Sequence, residues 1–264
     1  MNNYWITNHL NLITYAPWIF FISTLVFFLV GWFHGKHRIK VNKEVVIRDA
    51  LASTIFGLSA LILGFTFATA VQHYNERTES IRNEALSLER VYQSTFYLNP
   101  DDQVIAKKHL KDIVDMRLDV YKNLITFDDL DNKISDVEKQ LDRFNEFLNQ
   151  SIPRSPESTK GLAADTLKAR FNKLSDVFAT AILHAKNHPA PLLERFLFIQ
   201  LIIGAMLSGY SMAVKKEEDW FLTVLYLLLT GVLLYVVNCL EFPNELTSFD
   251  TLNHELIRFQ KLMQ

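Results

Sequence analysis

ALASTIFGLSALILGFTFATAV, residues 50–71, runs without a break into QHYNERTESIRNEALSLE, residues 72–89, and this stretch decides how the chain folds. The first part has no charged side chain over 22 residues. At 1.5 Å per residue that is enough to cross about 30 Å of hydrocarbon as a helix. The second part is polar, yet Tyr74, Ile81, Ala85, Leu88, Val91 and Tyr92 keep the three-and-four spacing of a helix. One helix is therefore expected to leave the bilayer and continue in water up to Asn99-Pro100.

Within the apolar part, Ser53, Gly57, Ala60, Gly64 and Ala68 form a stripe of small residues that lets another backbone come close. Ordinary packing between neighbouring helices explains such a stripe. So does a position at the axis of an oligomer, with Thr54, Leu58, Leu61 and Phe65 turned toward a shared pore. A ring of Leu61 and Phe65 would then gate by dewetting, because water and ions leave a narrow apolar collar readily. Spacing alone does not choose between the two.

Three further runs read as spans: residues 17–33, with Trp18 and Trp32 near the interfaces, residues 197–214, and residues 220–240. The expected fold class is an all-α integral membrane protein with four transmembrane helices and a helical-bundle aqueous domain between the second and third. The division is 1–71 for the tail and first span pair, 72–191 for the aqueous domain, 192–240 for the second pair and 241–264 for a C-terminal tail. Lys and Arg total 27 against 29 Asp and Glu, a net charge of −2, so no basic surface supports nucleic-acid binding. The single cysteine, Cys239, supports neither an intrachain disulfide nor a thiolate metal cluster.

Orientation follows the distribution of basic residues in short loops. Residues 1–16 carry none, whereas the first connection has Lys36, Arg38, Lys40, Lys43 and Arg48, and the last begins with Lys215 and Lys216. Both loops are expected to face the cytoplasm, which places the N-terminus, the aqueous domain and the C-terminus outside it.

In the aqueous domain, Asn99 is expected to cap a helix that starts at Pro100, with Asp101 and Asp102 at its positive end. Leu110, Ile113, Val114, Tyr121 and Leu124 form its apolar face. The next helix carries Ile134, Val137, Leu141, Phe144 and Leu148 and stops at the prolines of residues 151–156. A last one, residues 157–186, carries Leu167, Phe171, Leu174, Phe178 and Ala181. Charged neighbours such as Glu76 with Arg77 and Glu89 with Arg90 read as solvated surface, and Glu241 as a carboxylate that reaches water at a span end. His184 and His188 are four apart but lack a third ligand, so no metal site is assigned. Phosphate-binding loops, HExxH, GxSxG and GxGxxG are absent, and neither an enzyme nor a cofactor is expected.

GFTFATAVQHYNERTESIRNEA, residues 64–85, resembles the signature of the bacterial bestrophin-like domain family of membrane proteins: Gly64 and Phe65 at a span end, then Tyr74 and Arg77, then Glu84 and Ala85 opening a long helix. LEFPNELTSFD, residues 240–250, resembles that family's acidic-x-Pro segment through Glu241 and Pro243. The resemblance implies a distant relation to bestrophins, pentameric ion channels in which one helix per subunit lines the pore and apolar rings form its neck. It thus implies a homo-oligomer, favours a pentamer, and makes Phe65 and Leu61 neck candidates, in a bacterial inner membrane with the lipid bilayer and inorganic ions as partners. Bestrophins keep their aqueous domain in the cytosol, opposite to the side that the basic loops indicate here. The competing expectation is a non-conducting sensor or scaffold whose aqueous domain binds a partner or ligand.

Overall fold

The structure is a computed structural model that describes residues 11–41, 49–120, 126–186, 191–215, 220–242 and 248–263. The helices are α1 (Asn11–Val41), α2 (Asp49–Ser94), α3 (Pro100–Asp119), α4 (Phe127–Ser151), α5 (Lys168–Lys186), α6 (Pro191–Lys215), α7 (Trp220–Glu241), α8 (Phe249–Leu252) and α9 (His254–Leu262). No strand occurs among the described residues. Helices α1, α2, α6 and α7 are each long and apolar enough to cross a membrane, so the chain is an all-α integral membrane protein. At 46 residues, α2 is about 70 Å long, roughly twice the thickness of the hydrocarbon it crosses.

The chain divides into two compact units. One is aqueous and combines Tyr74–Asn187 with Pro243–Gln264. Its core is the set of heptad-like positions: Ile113, Val114, Val137, Phe144, Leu148, Leu167, Phe171 and Leu174 are all buried. Tyr121 and Leu124 lie outside the described residues. Helix α3 begins at Pro100 as the sequence indicates, but the Asn99 side chain does not cap it and instead donates to the Arg154 carbonyl. The side-chain cap belongs to α4: Thr126 Oγ1 accepts from the Asp129 amide at 3.1 Å, and Asp129 Oδ2 accepts from the Thr126 amide at 2.9 Å. The last long helix is not continuous. A single turn at Lys160–Leu162 passes through a π-helical segment, Ala163–Leu167, before α5 begins.

Residues 249–262, treated above as part of a tail, form α8 and α9, and Leu252, Leu256 and Phe259 enter the aqueous core. The Phe259 ring meets Tyr92 edge-on at 5.9 Å.

The membrane unit combines Leu12–His73 with His188–Phe242. Among the described residues its apolar clusters are small, Ile62 with Leu197, Leu201 and Leu234, and Phe28 with Ala205 and Met212. Close backbone approach does much of the remaining packing. A Cβ on Gly31 would overlap the Met206 carbonyl, and one on Gly209 would overlap the Phe28 carbonyl, so α1 and α6 meet at glycine. Intramembrane hydroxyls find partners one turn back: Thr24 donates to the Phe20 carbonyl at 2.8 Å, Ser59 to Ile55 at 2.8 Å and Thr66 to Ile62 at 2.9 Å.

Candidate functional site

Helix α2 has two unlike sides in the membrane unit. Ser59, Ile62, Thr66, Ala70 and His73, spaced three and four apart, are buried. The opposite side is bare: Ser53, Thr54, Gly57, Leu58, Ala60, Leu61, Gly64, Phe65 and Ala68 are all exposed. Phe65 is 63% exposed, a high value for a phenyl ring that its own subunit could have covered. A Cβ added at Gly57 or Gly64 would meet nothing within 4 Å. The two sets of residues singled out from the sequence thus share one side of one helix, and both are exposed.

At the end of the same seam, His73 Nδ1 lies 3.0 and 3.3 Å from the two carboxylate oxygens of Glu241 on α7. Glu241 is 4% exposed, so it does not reach water as the span-end reading expects; the imidazole satisfies it instead. A histidine within a helical apolar pattern gave little warning of this, since the partner is distant in sequence. Pro243 lies outside the described residues.

In the aqueous unit the inward side of α2 continues with polar groups. Arg77 is buried rather than solvated, and its Nε donates to the His184 carbonyl at 3.3 Å. Ser80 Oγ and His184 Nδ1 are 2.7 Å apart. Glu84 is enclosed and accepts from Arg117 Nε at 2.9 and 3.2 Å. Burial pushes the Glu84 carboxyl above its ordinary range, against the Arg117 guanidinium, which pulls it down. Of the remaining motif positions, Ala85 is buried and Tyr74 lies half-buried against the core.

An open cleft of about 880 Å³ lies between α2 and α5, lined by Asn75, Glu79, Asn83, Asn172, Asp176 and His184 among others. Ser80 and His184, in contact with each other, both line it. His184 is therefore engaged within the bundle, while His188 lies outside the described residues. No cluster of metal-binding side chains occurs among the described residues.

No protein-family model matches the chain. No curated protein matches it. Among solved structures, the chain is similar to the crystal structure of a bacterial bestrophin homologue from Klebsiella pneumoniae carrying a point substitution, with a TM-score of 0.62 and 11% identity over 91% of this chain and 98% of that one. At that identity the likeness is one of fold: the chain has a bestrophin-like fold.

Proposed function

We propose that the chain is one subunit of an oligomeric channel that passes small inorganic ions passively, with copies of α2 around a common axis. The observation that carries this reading is the bare side of α2. Its small residues, Gly57 and Gly64 above all, leave open space that a second copy can enter. The neighbouring Leu61 and Phe65, 55% and 63% exposed, are free to form apolar rings. Five subunits is the number that the bestrophin-like fold favours, and the aqueous units would form a vestibule. Purified protein in liposomes tests the proposal. Ion flux above that of empty vesicles is expected, with Phe65→Ala raising it; no flux from either protein overturns it. Cross-linking should first show a closed oligomer, since a stable monomer or dimer leaves no symmetric hole.

The basic residues Lys36, Arg38 and Lys40 on the last turns of α1 support a cytoplasmic connection between α1 and α2, hence an aqueous unit outside the cytoplasm. In a Cys239→Ser background, a cysteine at exposed Ser158 should react with an impermeant reagent on intact cells. Labelling only after lysis reverses the orientation.

The α2–α5 cleft favours the second reading, a non-conducting sensor or scaffold that binds a ligand there. A monomer in the membrane that still binds small polar molecules would select it.

A further inference from the structure

A cavity of about 400 Å³ lies inside the membrane unit, among α2, α6 and α7. Its walls are mostly apolar, with Phe56, Ala60, Leu63 and Leu201, but four hydroxyl residues also line it: Ser59, Ser208, Tyr226 and Thr230. Thr230 and Ser59 are more than nine-tenths buried. Tyr226 and Thr230 stand one turn apart on α7, and both line the cavity. Ser59 donates to the Ile55 carbonyl, which leaves its oxygen able to accept. Ser208 is half-buried and makes no hydrogen bond among the described residues.

In hydrocarbon, an unsatisfied hydroxyl is costly, and a lipid tail fills space without offering it a partner. Four hydroxyls around an apolar hollow of this size form the usual lining of a ligand site: walls for a hydrophobic body and a few polar groups to orient it. We infer that this cavity is a lateral binding site for a small amphiphile that enters from the bilayer, an aliphatic or aromatic molecule bearing one hydroxyl. The head bonds Ser208 and Ser59, and the tail lies against Phe56, Leu63 and Leu201. The site adjoins α2 on the flank next to its small-residue stripe, so an occupant touches the helix on which the proposed pore depends. Binding itself needs only the membrane-spanning fold and stands apart from conduction.

The test is photolabelling of the full chain in liposomes with 3-azioctanol, its adducts located by mass spectrometry. Saturable adducts on α2 and α7 at the cavity are expected. Unlabelled 1-octanol should compete them away and octane should not. Ser208→Ala and Ser59→Ala keep the walls and remove a hydroxyl each, and each should weaken apparent affinity about five-fold, the worth of one ordinary hydrogen bond. Ser208→Leu puts an apolar branch where the head would bind and should abolish the saturable fraction; its folding is checked by the unchanged thermal transition of the purified protein. Competition by octane as strong as by octanol would show an acyl-chain crevice and overturn the inference. So would adducts spread over the exposed α7 residues Phe221, Val224 and Leu228, which report simple partition into lipid. Absence of cavity adducts in a cross-linked oligomer would show that a neighbouring copy occupies the space, and would overturn it equally. Because the readout is binding, a channel without flux leaves this result intact, and flux without cavity labelling leaves the channel intact.

Discussion

Along the contact of α1 with α6, a methyl group added at Gly31 or Gly209 would overlap the facing backbone, whereas on α2 the same addition at Gly57 or Gly64 meets nothing within 4 Å. All four glycines lie in membrane spans and look alike in sequence. The first two let the subunit close, and the subunit itself makes no use of the second two. In a bilayer, where apolar exposure costs little, small residues mark where backbones can approach, and the unused ones are those the proposed assembly would employ.

The hardest test of this contrast is Gly209→Leu, which should abolish folded protein by size exclusion in detergent, since neither backbone can yield. Gly64→Leu should leave the subunit folded and shift the assembly toward monomer. If both variants behave alike, the contrast fails. The two sides of α2 in the aqueous unit extend the comparison. Arg117→Met strands the enclosed Glu84 and should cost about 3–5 kcal/mol in thermal or denaturant unfolding, most of it recovered when Glu84→Met is added. Its pH dependence has a definite sign. The Glu84 carboxyl is held above its ordinary range, so its contribution is present at low pH and lost as pH rises through the raised pKa. Without Arg117 the pKa rises further, and the variant should be penalised more at about pH 8 than at about pH 5. Leu256→Ala, which empties a fully buried position of α9, should cost about 2–4 kcal/mol if the C-terminal helices are integral to the aqueous core. On the bare side, Arg82→Gln removes an exposed partner 3.7 Å from Glu79 and should change stability by less than about 0.5 kcal/mol.

Much of this fold is legible in the sequence because two signals are strong. Charge-free runs locate α1, α2, α6 and α7, and the three-and-four spacing of residues such as Val137, Phe144 and Leu174 locates the aqueous core. Helices α8 and α9 carry the same kind of spacing in Leu252, Leu256 and Phe259, but they are short and follow the last span, where a tail is the default reading. The site divides differently. Exposure of Phe65 and Leu61 fits a helix with one free side, as the pattern allowed. The ties His73 to Glu241 and Glu84 to Arg117 join residues 168 and 33 positions apart, and no local spacing reports such pairs. Arg77 looks solvated beside Glu76 because sequence shows charge but not which side of the helix it lies on.

From Phe65 to Ser94, α2 contains neither glycine nor proline. Sharp bends in helices arise at such residues or at breaks in the hydrogen-bond ladder, and this stretch is one unbroken α-helix. Along this stretch the chain thus has no residue at which a helix bends cheaply.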